Sequence, residues 1–230
     1  MYAIALTSIP PRFARLAPVL AGLLAQEPRP ARVFLCLPRR YRRFPGPVTP
    51  PALPPGVTLL RCDDDPGPAG KALITARHLA GQADRLIYCD DDWIMQPGWA
   101  AALLAAGGPG MAVTGQTWSI ARLGRRGATN GADIAQGYSG VLVDPRWLAG
   151  PDMDPPDPAW PVDDVWLSGH LARQGIGLAD APAARRGMIP AHDDAHALQK
   201  AVVGGMTRDG ANRACAALLH DRYGIWPPLS

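Results

Sequence analysis

The sequence predicts an α/β fold with a mainly parallel central sheet, flanked by helices and turning mixed in its second half. Three observations predict it. Short apolar, β-like runs alternate with segments of helical period through the first half, the pattern of β-α-β units. Hydrophobic residues make up 47% of the chain and charged ones 19%, enough apolar material for one substantial core and too little charge for disorder. At roughly 150 residues per domain, the 230 residues make one large domain rather than two very small ones.

Taken in order, residues 2–6 read as a first strand and 7–12 as a loop. Residues 13–25 place Phe13, Leu16, Leu20, Leu23 and Leu24 at helical spacing, and Gln26-Glu27-Pro28 ends that helix. Residues 32–37 form a second strand, after which seven prolines within residues 38–56 leave only an extended surface loop. Residues 57–61 are a third strand, 70–80 a helix, 85–89 a fourth strand and 99–106 a short helix. Beyond Gly107 the pattern loosens, with strands over 111–115 and 140–143 around a Gly- and Arg-rich loop at 122–131. Residues 163–173 read as a helix stopped by Gly175, and 211–223 as a last one. One domain thus divides into a first half (1–106), a second half (107–190) and a C-terminal helical segment (191–230), with no internal repeat.

The formal net charge is +3, but Lys71 and Lys200 are the only lysines and Glu27 the only glutamate, so Arg and Asp carry nearly all the charge. That balance, with abundant Ala, Gly and Pro, reads as a coding bias and does not imply nucleic acid. The one dense basic run, Arg39, Arg40, Arg42 and Arg43, is short and runs into prolines, which suits a solvated loop more than a groove tracking phosphates. It leaves room for peripheral contact with an anionic membrane surface. Cys36, Cys62, Cys89 and Cys215 are widely spaced with no C-x-x-C, the pattern of buried thiols in a reducing compartment. The start of the chain has no basic n-region and no stretch approaches the ~20 apolar residues of a membrane span, so a cytoplasmic protein is expected.

Two aspartate triplets follow two of the strands, Asp63-Asp64-Asp65 and Asp90-Asp91-Asp92. In a parallel sheet both would lie at the carboxyl edge, where α/β folds bind ligands. Adjacent carboxylates repel unless a cation or several donors neutralise them, and an all-oxygen set suits Mg²⁺ or Mn²⁺ rather than zinc. For residues 63–65 an acidic solvated turn is an equal reading. The second triplet, between an apolar strand and Trp93-Ile94, is the stronger metal candidate.

The stretch LIYCDDDWIMQPGW resembles the strand and Asp-x-Asp motif of nucleotide-sugar-dependent glycosyltransferases of the GT-A fold, and ALTSIPPRF, DDDPGPAGK, GYSGVLV and DDVWLSGHLARQGIGL resemble further segments of that family in order, from residue 1 to about 178. The resemblance implies a single Rossmann-like GT-A domain with an acceptor-side second half. It implies transfer of a sugar from a nucleoside-diphosphate sugar, a UDP-sugar foremost, to a hydroxyl of a saccharide or other acceptor, with Mn²⁺ or Mg²⁺ and inversion assisted by an Asp base. By the same resemblance Asp92 is the direct metal ligand and Asp90 reaches the ribose or a metal-bound water. Asp91, alternating away as extended backbone requires, belongs to the nucleotide side. His192, within the cluster of His192, Asp193, Asp194 and His196, would complete the metal shell, with a polar surface turn as the alternative. Asp164 is the expected base, with Asp163 its partner; the family more often carries a Glu-Asp pair there.

Other residues stand on their own chemistry. Lys71 at a helix start, where the dipole disfavours a cation, calls for an anion: a diphosphate, or one of Asp63, Asp64 and Asp65. Thr7, Ser8 and Arg12 either hold a base or ribose or cap the following helix. Asp65, beside the Gly-Pro turn, is a candidate acceptor for a nucleobase N–H. Asp163 and Asp164 lie in the first turn of a helix, where one carboxylate would suffice as a cap. His170 reads as structural or exposed. By the resemblance of GYSGVLV to the family's acceptor-side strand, Tyr138, Ser139 and Gly140 line the acceptor side; the tryptophans read mostly as core, with Trp118 and Trp160, placed in loops, as candidate stacking surfaces for sugars. Two other readings remain: a nucleotidyltransferase, for which IPPRFAR is a poor triphosphate loop, and a non-catalytic nucleotide-sugar binder or assembly partner in a polysaccharide pathway.

Overall fold

The computed structural model describes residues 1–82, 85–192, 196, 198 and 201–229. Its first half runs β1 (Tyr2–Thr7), a 3-10 segment (Pro10–Arg15), α1 (Leu16–Leu24), β2 (Arg32–Pro38), β3 (Val57–Cys62), α2 (Gly70–His78), β4 (Arg85–Cys89), β5 (Trp93–Met95) and α3 (Trp99–Ala106). The second half follows with β6 (Met111–Thr114), β7 (Thr117–Trp118), β8 (Ile134–Ala135), β9 (Val141–Val143), α4 (Asp163–Arg173), β10 (Gly177–Asp180), α5 (Pro182–Arg186), β11 (Met188–Pro190) and α6 (Arg208–Tyr223).

Seven strands form one sheet in the order β10-β6-β9-β4-β1-β2-β3. The pairings from β3 through β4 are parallel, β9 runs against both β4 and β6, and β10 is again parallel to β6. The expected parallel first half and mixed second half are both present. Side-chain alternation splits the core in two. On one face Ala3, Ala5, Leu86 and Tyr88 pack with α2, α4 and α6. On the other, Ile4, Leu6, Ile87 and Cys89 pack with α1 and α3. The small Ala3 and Ala5 meet small residues of α2, Ala72 and Ala76, so that helix can lie close to the strands.

The expected helix over 13–25 is divided. Pro10 and Pro11 open a 3-10 turn, and Pro18 falls in the first turn of α1, where its missing N–H is no loss. An unbroken helix from Phe13 would put Pro18 in its interior. Strands β5, β7, β8 and β11 and helix α5 have two to five residues, too short to show a period, and the sequence reading passes over them. It also passes over β10, and Trp118 lies in β7 rather than in a loop. All four cysteines are free thiols; Cys62, on the sheet's edge strand, is only half-buried. Among the described residues no helix is long and apolar enough to cross a membrane.

Gly140 shows how tightly the second half is fitted to the first. Its φ is +87°, and a Cβ there would lie 2.3 Å from the Trp99 ring, which donates its N–H to Ser139 O at 2.9 Å. Gly140→Ala should combine backbone strain with overpacking and lower the unfolding free energy by about 3 kcal/mol, read from urea denaturation. A loss below 1 kcal/mol would mean that Trp99 is free to move aside.

Candidate functional site

Strands β3 and β4 run parallel, so both aspartate triplets leave the sheet at the same edge. A cleft of about 910 Å³ lies there, lined from the first half by Thr7, Ser8, Arg12, Asp65 and Asp90 to Trp93. From the second half come Trp118, Tyr138, Trp160, Asp163, Asp164 and His192. Most of the residues singled out from the sequence therefore share one cleft.

Beyond β4 the strand's alternation continues into the triplet and gives its members different surroundings. Asp90 turns to the face of α2 and α4, where the Lys71 ammonium donates to its Oδ1. Asp91 turns to the opposite face and is buried, accepting from Ser8 Oγ on one oxygen and from Arg12 Nη1 at 2.5 Å on the other. Burial outweighs these partners and holds the Asp91 carboxyl above its usual range. Asp92 is left at the cleft, and its Oδ1 is buried with no hydrogen-bond partner among the described residues. Burial, then the charges of Asp90 and Asp91, push its carboxyl up to about 7. Ala191 N donates to Asp92 O at 2.8 Å, which ties the triplet to β11 and brings His192 to the cleft.

Lys71 overturns its expected role. Its side chain is 1% exposed and does not line the cleft; the ammonium is held by Asp90 and, at 2.6 Å, by Asp163 Oδ2. Burial alone would lower its pKa, but Asp163, Asp90 and Asp164 together raise it well above the ordinary lysine value. The anions at the helix start are two carboxylates from distant segments, not Asp63, Asp64 or Asp65. Asp63 and Asp64 are exposed, and Asp63 pairs with Arg39 at 3.0 Å. Asp65 is buried with both oxygens engaged by backbone, accepting from Arg42 N at 2.8 Å and Gly67 N at 2.9 Å. That makes Asp65 a loop brace that also lines the cleft.

Asp163 and Asp164 do open α4, yet neither caps it: the N-cap is Val162, with no side-chain cap bond. Asp163 points back to Lys71, while Asp164 Oδ1 accepts from Gly137 N at 2.9 Å. A Cβ on Gly137 would lie 2.8 Å from Lys71 Nζ and 3.2 Å from Asp164 Oδ1, so only glycine lets the backbone approach this closely. Burial, then Asp163, push the Asp164 carboxyl up to about 7 against the pull of Lys71. Near the loop before β1's partner helix, Thr7 Oγ1 donates to Cys36 O at 2.7 Å, and the 3-10 turn that follows has no side-chain cap, so Thr7 and Ser8 serve as braces rather than caps.

On the second-half wall, Ser139 and Gly140 are not cleft residues. Ser139 is fully buried, with Oγ donating to Gln136 O at 2.9 Å, and Gly140 packs on Trp99. Tyr138 does line the cleft, together with Gln116 and Arg185, which the sequence reading missed because nothing in their local pattern marks them. Trp160 is 5% exposed and donates to Asp65 O at 2.8 Å with Arg42 over its ring, so its main part is a pillar under the loop. Trp118 stays half-buried at the cleft beneath Arg122. His196 reaches the cleft edge against Phe44; Asp193 and Asp194 lie outside the described residues. His170 is fully buried between Trp166 and Tyr223, and burial lowers its pKa to about 4, a structural role as expected.

No protein-family model matches the chain, and no curated protein matches its sequence.

The central ion cluster gives a stability test. Lys71→Met leaves Asp90 and Asp163 without their buried cation and should cost about 3–5 kcal/mol in chemical denaturation. Adding Asp163→Asn should restore part of that loss, because one of the stranded charges is then gone. Strictly additive losses would mean that the two side chains do not interact.

Proposed function

We propose that the chain transfers a sugar from a nucleoside-diphosphate sugar to an acceptor hydroxyl, with a divalent cation at Asp92 and Asp164 as general base. The observation that carries this reading is a single cleft at the carboxyl edge of parallel strands with a buried, unpartnered Asp92 oxygen on one wall. On the other wall is Asp164, whose carboxyl is tuned to about 7. The resemblance of LIYCDDDWIMQPGW and DDVWLSGHLARQGIGL to GT-A glycosyltransferases adds the reaction class.

The residues fit a hard cation that brings its own partners. Among the described residues no group of three or more His, Cys, Asp or Glu side chains forms a ready metal cage. Mg²⁺ and Mn²⁺ are commonly held by one or two carboxylates plus substrate phosphates, and Asp92 with Asp90 Oδ2 meets that need. Bound there, the ion would neutralise charge on the departing diphosphate. Asp164, oriented by the Gly137 N–H, would accept the proton of the attacking hydroxyl through its remaining oxygen. Asp163 would act at one remove, by fixing Lys71. Which sugar, base and acceptor are used lies in the loops that line the cleft.

Two variants test the halves of the reading separately. Asp92→Asn should abolish Mn²⁺-dependent UDP binding in calorimetry while the fold persists; an unchanged affinity would place the metal elsewhere. Asp164→Asn keeps the acceptor for Gly137 N–H but cannot take a proton, so transfer should fall about 10²- to 10⁴-fold at nearly constant donor affinity.

The pH dependence carries opposite signs for rate and stability. Since the ionised Asp164 is the base, wild-type transfer should rise about tenfold per pH unit up to about 7 and then level off. A carboxyl whose folded pKa is raised favours the native state while protonated, so its contribution is present below the unfolded value and fades as pH climbs to about 7. Asp164→Asn should therefore be more stable than wild type at pH 8 and little different at pH 4, by thermal melting. A flat rate profile between pH 5 and 8 would remove Asp164 from the base role.

A further inference from the structure

Resting on the glycosyl-transfer reading, we infer that the acceptor carries an oxyanion, a carboxylate or a phosphate, and that Arg185 seats it. Arg185 comes from the five-residue α5, just before β11 pairs with β5. Its guanidinium lies over two rings, 5.1 Å from the Trp93 centroid and 5.2 Å from that of Tyr138. Its Nε donates to Tyr138 Oη at 2.8 Å. Arginine only donates, so the Tyr138 oxygen must accept there and direct its own proton elsewhere, which it does, to Gln116 Oε1. The relay settles the Gln116 amide with its oxygen toward Tyr138.

What remains on offer is all donor. The terminal nitrogens of Arg185 and the amide nitrogen of Gln116 have no protein partner among the described residues, and no carboxylate pairs with Arg185 there. Both side chains line the cleft with Tyr138. A guanidinium with its plane fixed by aromatic faces and one edge already bonded presents a rigid fork, and such a fork matches the two oxygens of a carboxylate or phosphate. A neutral hydroxyl would leave that charge unanswered beside a desolvating pair of rings.

The corner belongs to the acceptor rather than to the donor's diphosphate because two of its members, Gln116 and Tyr138, flank the β7–β8 hairpin of the second half. The acidic groups proposed to handle the diphosphate, Asp90 and Asp92, leave β4 in the first half. Arg185 reaches the cleft over the ring of Trp93, one residue beyond Asp92, so this corner of donors adjoins the carboxylates of the cleft.

The test uses the whole chain and three probes of one size: glucose, glucuronate and glucose 1-phosphate, with affinities read by ligand-observed NMR. Wild type should bind at least one of the charged sugars ten times or more as tightly as glucose, and the arm that binds identifies carboxylate or phosphate. Arg185→Gln should erase the preference, and Tyr138→Phe, which keeps the ring and removes the Nε anchor, should reduce it in part. Equal binding of all three probes by wild type, or a preference that survives Arg185→Gln in a variant with unchanged melting temperature, would overturn the inference. UDP with Mn²⁺ is titrated in parallel. If Arg185→Gln weakens UDP as much as the charged sugars, Arg185 is a diphosphate ligand and the acceptor inference fails. If wild type shows the Arg185-dependent preference but no UDP binding, the oxyanion seat stands and the donor reading fails.

Discussion

The ammonium of Lys71, buried between Asp90 and Asp163, is the contact on which the arrangement of the site depends. It joins the first turn of α2, the end of β4 and the first turn of α4, three segments far apart in the chain. Burying one ion costs several kcal/mol, so such a cluster persists only when each charge meets its partner at short range. Its geometry therefore fixes where β4 ends relative to α4, and with it the gap between Asp92 and Asp164. Gly137 belongs to the same constraint, because any side chain there would strike the Lys71 ammonium and push the backbone N–H away from Asp164.

One consequence is a division of labour within three consecutive aspartates. Strand alternation sends Asp90 to Lys71 and Asp91 to Ser8 and Arg12. Two of the three carboxylates thus have cationic or hydroxyl partners from opposite faces of the sheet. Asp92 is the one whose oxygen lacks a partner among the described residues, and its raised pKa is the electrostatic sign of a charge that the protein alone does not satisfy. The triplet is better described as two structural anchors around one available group than as three equivalent ligands, although Asp90 keeps a second oxygen near the cleft.

Beyond residue 107 the chain brings both signs of charge to the cleft, Asp163, Asp164 and Asp209 with Arg122, Arg185 and Arg208. The strands of this half are short, and much of the cleft wall it builds hangs on side-chain ties: Trp99 to Ser139, Tyr138 to Gln116, Arg208 to Pro161 O. These ties hold the wall from which Arg122, Arg185 and Arg208 reach the cleft. Asp90 and Asp92 at the end of a parallel strand thus face a wall that carries aromatic rings, guanidinium groups and the Asp163-Asp164 pair of α4.

The sequence by itself determined the alternation of strands and helices in the first half, the parallel sheet edge bearing both triplets, and the presence of Asp163 and Asp164 at a helix start. Each of these follows from periodicity or from residue order along a single segment, which a linear reading contains. It also marked Asp92 and Asp164 as residues with chemistry, and they share one cleft. Tertiary structure alone decided the partner of Lys71, since Asp163 is 92 positions away and a lysine's need for an anion does not say which of many aspartates answers it. It decided that Asp65 braces a loop, that Ser139 and Gly140 turn into the core, and that Arg185, from a helix too short to leave a pattern, meets Trp93 and Tyr138. The physical reason is the same throughout: hydrogen bonds and charge pairs act over a few ångströms, and which groups come within that range is set by how the layers pack.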